Sequence, residues 1–134
     1  MAHPLEQRIR DAYAAFGRGD VEGYLAACTD DVAFHIPGEG GISGTWTGRQ
    51  GLYDLAGKAM SLTAGTFRED VIDVLANDQH AVVLARHYFT RDGSPKDYQT
   101  VHVYHVRDGK LAECFEHPRD PAQFHDAWGS NHTG

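Results

Sequence analysis

Residues 80–117 read HAVVLARHYFTRDGSPKDYQTVHVYHVRDGKLAECFEH, and the punctuation of this stretch decides the fold. Three period-two runs, His80–Thr90, Asp97–Arg107 and Lys110–His117, are separated by Asp92-Gly93-Ser94-Pro95 and Asp108-Gly109, turn sequences of the hairpin kind. Strands joined by tight turns pair antiparallel. A further strand, Phe67–Leu75, precedes them across Asn77-Asp78. Upstream the period changes. Leu5, Ile9, Ala12, Tyr13 and Phe16 form a helical stripe over residues 5–17, stopped by Gly17 and Gly19. Asp20 caps a second helix, Val21–Ala27, whose apolar face holds Val21, Tyr24, Leu25 and Cys28. Val32–Ile36 is a short strand closed by Pro37-Gly38, and the glycine-rich residues 37–48, with Trp46 among them, read as a loop. A third helix runs from about Arg49 to Leu62; its interior Gly57 costs about 1 kcal/mol against alanine, which a packing role would explain. Pro121–Trp128 adds a short helix. The sum is an α+β domain, with helices packed on one face of a curled sheet.

The whole chain has 134 residues, room for one domain spanning 1–134. With 41% hydrophobic and 23% charged residues it has the composition of a globular protein. A net charge of −7 argues against nucleic-acid or anionic-membrane partners, which need a cationic footprint. No apolar run reaches ~18 residues and the N-terminus lacks a signal-type stretch. Two cysteines, Cys28 and Cys114, are too few for a disulfide framework. The expectation is a cytoplasmic protein.

Nine histidines stand out. Strand alternation puts Ala81, Val83, Ala85, His87 and Phe89 on one face, as it does Tyr98, Thr100, His102 and Tyr104, and Ala112, Cys114 and Glu116. Both faces carry valines and leucines, so apolarity alone leaves the inward face open. If the small-residue face lines a cavity, His87, His102 and Glu116 converge there. Burial raises a carboxylate's pKa toward the working range, and with a neutral imidazole this is material for general acid–base catalysis. His35 lies beside the glycine loop at a possible rim. His3, His125 and His132 read as surface or tail residues, and His117, Pro118 and Asp120 as the end of the last strand and the start of the final helix. A non-catalytic module binding an apolar ligand or a protein is a second reading. A metal site of His35, His87, His102 and Glu116 is a weaker one, because no HxxxH or CxxC spacing supports it.

Five segments carry a family resemblance: YAAFGRGD (13–20), TDDVAFHIPG (29–38), GTWTGRQGL (44–52), VHVYHVRDGKLAE (101–113) and FEHPRD (115–120). The chain resembles the SnoaL-like branch of the nuclear transport factor 2-like superfamily, with its ketosteroid isomerases and polyketide cyclases. The resemblance implies a cone-shaped barrel of curved antiparallel or mixed sheet on three helices, an internal pocket for a small molecule, and homodimers paired through the outer sheet face. It implies no cofactor. The isomerases' general base, an aspartate before the first-strand proline, is replaced here by Ile36. Their oxyanion aspartate aligns with His102 and their oxyanion tyrosine with Ala12 or Tyr13. The cyclases' histidine and acid align with His102 and Glu116, glutamate standing for aspartate. Epoxide hydrolases of the superfamily need an aspartate–arginine–aspartate set; Arg86 is the one strand arginine well placed, with no paired aspartates read as facing it. The implied chemistry is cofactor-independent proton transfer on a small, mostly apolar carbonyl or polyketide-like compound. Glu116 would be the base, and His102 the donor to an enolate oxygen, helped by Tyr13 or His87. Tyr13, Phe34, Trp46, Tyr53, Phe89 and Tyr104 would be pocket walls.

Overall fold

Capping chemistry sets the helices. The His3 ring accepts the Leu5 N–H at 3.1 Å, and Pro4 opens α1 (Pro4–Gly17) where a missing N–H costs nothing. Asp20 caps α2 (Val21–Leu25) through Gly23 N–H at 2.9 Å. This helix stops short of the expected Ala27, because Cys28 already starts a strand and the Ala27 carbonyl accepts from Leu111 N–H. Next come β1 (Cys28–Ile36), β2 (Gly44–Thr47), α3 (Gly48–Leu62), β3 (Arg68–Ala76), β4 (His80–Arg91), β5 (Ser94–Arg107), β6 (Lys110–Pro118) and α4 (Pro121–Trp128). Asp120 caps α4. The coordinates, a computed structural model, describe residues 2–129, so His132 lies outside the described residues.

The strands form one six-stranded mixed sheet in the order β2-β1-β6-β5-β4-β3. The three expected hairpin pairings are antiparallel, whereas β1 joins β6 in parallel. The sheet does not close on itself: β2 and β3 are its edges. Register shifts in β3 and β5 add curl. β2 lies in the segment expected to be loop; four residues give too short a period to read, and only pairing with β1 reveals the strand.

Two apolar clusters fill the interior. One joins α1, α2 and the inner strand faces around Ile9, Leu25, Val32 and Val83; the other gathers Ile42, Phe89, Tyr98 and Phe124 around Trp128. Gly41 belongs to the second. Its φ is +57°, and a Cβ there would meet the Trp128 Cβ at 2.6 Å. Gly57 has no such reason: its position on α3 faces open space, contrary to the expected packing role. Among the described residues, no helix is long and apolar enough to cross a membrane.

Candidate active site

Sheet register assembles the site. On the inner face Glu69 of β3 sits directly opposite His87 of β4, and His102 of β5 directly opposite Glu116 of β6. The neighbouring inner residues Val83 and Ala85 are small, which leaves the polar pairs room to meet. Thr100 donates to Glu116 Oε2 at 2.8 Å; His102 Nε2 lies 3.5 Å and His87 Nδ1 3.7 Å from that same oxygen. The other nitrogen of His87 bonds Glu69 Oε2. The two imidazole centres are 5.3 Å apart. These groups form the polar end of a cavity of about 90 Å³, whose remaining wall is apolar and includes Phe16, Phe34, Leu52, Leu55 and Phe67.

A run of hydroxyls stands behind His102. Tyr13 OH is 2.7 Å from its Nδ1 and 2.5 Å from Tyr104 OH, which is 2.5 Å from Tyr24 OH. Burial pushes all three phenols well above their ordinary pKa, so each keeps its proton. Among the described residues Tyr24 OH has one partner, Tyr104. A buried hydroxyl left without an acceptor is costly, so Tyr24 donates to Tyr104, Tyr104 to Tyr13, and Tyr13 to His102 Nδ1. The ring proton of neutral His102 therefore sits on Nε2, directed at Glu116.

Burial opposes ionisation of Glu116, but the His102 hydrogen bond, the charge of His87 and the Thr100 hydroxyl together hold its carboxyl below the ordinary range. Burial likewise opposes Glu69 and His87, yet their mutual attraction wins, lowering Glu69 and raising His87. Glu116 is therefore an ionised acceptor at neutral pH. This corrects the expectation that burial would raise its pKa: the desolvation is real, and its histidine and threonine partners outweigh it.

The structure brings His87, His102, Glu116, Tyr13, Phe34 and Tyr104 to the cavity as expected. His35 also borders the cavity, but its ring turns to the other sheet face, bonded to Glu113 at 2.7 Å and Thr45 at 3.0 Å, because alternation sends its neighbour Phe34 inward. Tyr53, Phe89 and Trp46 do not line the cavity. Tyr53 is 40% exposed on α3, where it bonds Glu22. Phe89 packs against Trp128 in the second core, and Trp46 donates to the Ile42 carbonyl beside the cavity rather than in it. Arg86 does have aspartates, Asp97 at 2.6 Å and Asp70 at 3.6 Å, but on the outer face, away from the cavity. Glu69 was missed. Its signal was a charge set between two apolar residues at period two, Phe67, Glu69 and Val71. Of the expected metal set only His87 and His102 remain, joined by Glu69 in place of His35 and Glu116: ligand atoms of these three lie within 4.8 Å of one another. A metal bound at ~2 Å sets adjacent ligands about 3 Å apart, so these three would have to draw in.

Comparison with known proteins agrees with this architecture. The family model described as SnoaL-like domain matches residues 9–114. An uncharacterized Mycobacterium tuberculosis protein, Rv0034, is 26% identical over 121 residues, covering 90% of this chain and 92% of its own. Bal32a, from a soil-derived mobile gene cassette, superposes with a TM-score of 0.84 at 26% identity, covering 91% of this chain and 94% of its own. TerC, co-crystallized with polyporic acid, gives a TM-score of 0.82 at 26% identity, covering 96% and 100%.

Proposed function

From the premise that the chain belongs to the SnoaL-like domain family, we propose that it is a cofactor-independent acid–base enzyme of the cyclase or isomerase type, acting on a small, mostly apolar carbonyl compound. One observation carries the reading: a buried Glu116 stands 3.5 and 3.7 Å from two histidine nitrogens at the polar end of an apolar cavity. Glu116 takes a proton from the carbon alpha to the carbonyl. The electron pair of that C–H bond moves to the carbonyl oxygen, where His102 Nε2–H donates to the forming enolate. Returning the proton to another carbon gives an isomer; attack of the enolate carbon on a second carbonyl closes a ring. Tyr13 acts through His102, since its own proton is spent on Nδ1. His87, held by Glu69, sets the charge around Glu116. A preorganised donor of this kind contributes roughly 10²–10³ in rate.

A merely ligand-binding cavity has no use for two buried carboxylates beside two histidines, so the enzyme reading is preferred to a binding module. Exchange of the alpha protons of 2-tetralone in D2O, followed by proton NMR, tests it. Wild type should exceed buffer, and Glu116→Gln should lose about 100-fold. A variant with wild-type exchange and a native circular dichroism spectrum removes Glu116 as the base.

We also propose a homodimer through the outer sheet face. Val82, Val103 and Phe115 lie side by side there in register, next to His35, as a half-buried apolar row. Two buried, unpaired cysteines suit a cytoplasmic setting.

A further inference from the structure

The outer face of the sheet carries a second group of histidines. Strand register builds it: His80 of β4 is directly opposite His105 of β5, and His105 directly opposite Glu113 of β6. β1 adds His35 one diagonal step away, since Ala33 pairs with Glu113 and His35 with Phe115. All four side chains are exposed or half-buried. The Glu113 carboxylate stands between two of the rings. His35 Nε2 is 2.7 Å from its Oε2, and His105 Nδ1 is 3.3 Å from its Oε1. Among the described residues these histidines are its ion-pair partners, and no lysine or arginine pairs with it. Further contacts fix the rings. Thr45 Oγ1 lies 3.0 Å from His35 Nδ1, and Phe115 stacks on the His35 ring with centroids 4.7 Å apart. The His80 ring packs edge-on against His105 at 5.4 Å. A hydrogen bond to the far nitrogen of a histidine is the usual means of orienting it as a metal ligand.

Two imidazoles and a carboxylate are a donor set for a borderline divalent ion, zinc foremost. In a tetrahedral site with bonds of about 2.1 Å, neighbouring ligand atoms stand roughly 3–3.5 Å apart. His105 Nδ1 and Glu113 Oε1 already have that spacing. His35 Nε2 reaches the same ion by turning from Oε2, and its side chain, 31% exposed at the sheet surface, has room to do so. The net charge of −7 draws a cation rather than an anion to the surface.

We propose that His35, His105 and Glu113 form an outer-face site for a divalent transition-metal ion of the zinc class, with water in the fourth position. The inference goes beyond the acid–base reading: of the three only His35 borders the cavity, and no proton-transfer step uses the ion. Calorimetric titration of Zn2+ into the intact, untagged, chelator-treated wild type at neutral pH should show one ion bound per chain. His105→Ala and Glu113→Gln should each weaken binding at least about tenfold, whereas Glu69→Gln should bind zinc as the wild type does. In nitrogen-15-labelled wild type, paramagnetic Co2+ should broaden the amide signals of residues 35, 105 and 113 ahead of those of 69, 87 and 102. No zinc binding by the wild type, undiminished binding in both outer-face variants, or broadening centred on the inner residues overturns the proposal. The two wild-type measurements decide this even where a variant does not fold. None of these outcomes bears on the alpha-proton exchange of 2-tetralone, which tests Glu116 separately.

Discussion

His102 and His87 are the same residue type 5.3 Å apart, yet different partners fix them. A hydroxyl run ends on Nδ1 of one, and a carboxylate holds the other. The two environments divide labour, as paired titratable groups do in acid–base sites. The tautomer is open to direct measurement. Nitrogen-15 NMR of the wild type should show neutral His102 with a bare Nδ1 and a protonated Nε2. Tyr13→Phe, which removes the donor to Nδ1, should shift both nitrogens toward the averaged pattern of a free imidazole. A protonated Nδ1 in the wild type would reverse the direction assigned to the tyrosine run. At this scale the sequence was informative about His87, His102 and Glu116, because a period of two fixes a face whatever the tertiary context. It also put Phe89 on the His87 face, but was silent on the neighbours that His35, Tyr53 and Phe89 would meet. His35 takes its place from which face of β1 the helices cover; Tyr53 and Phe89 take theirs from what lies opposite them in space.

The glycines of α3 and of the β1–β2 connection separate element-level causes. Gly57 on α3 meets nothing within 4 Å and has no left-handed φ. Gly57→Ala should therefore stabilise the protein by about 0.5–1 kcal/mol, measured by urea unfolding. Gly41, between β1 and β2, combines a φ of +57° with contact on Trp128. Gly41→Ala should cost about 1–3 kcal/mol through overpacking and backbone strain, in the same assay. Equal effects from the two would undo the distinction. The helices and five of the strands were legible because capping and turn residues act locally. β2 was not, since a four-residue strand exists only through its pairing with β1.

Over the molecule, the buried network sets the pH range of stability. His87 has a folded pKa above its unfolded value of about 6.5, so its contribution is complete below that pH and is lost as pH rises through the folded value. Glu69 and Glu116 are depressed, so theirs is present above about 4.3 and lost as pH falls through their folded values. The thermal midpoint should be highest between roughly pH 4.3 and 6.5, and His87→Gln should flatten the fall on the alkaline side. A wild-type midpoint that climbs from pH 6.5 to 8 would contradict this balance. The proposed dimer is tested by sedimentation velocity: wild type should run as a dimer and Val103→Glu as a monomer, whereas a monomeric wild type rejects it. The sequence by itself determined the helical stripes, the hairpin order, and the sharing of one strand face by two histidines and a glutamate, because each depends only on backbone periodicity and neighbours along the chain. Tertiary structure alone decided that this face is the covered one, that Glu69 from a distant strand completes the group, and that Glu116 stays ionised. Burial and charge pairing depend on groups brought together from far apart in the chain.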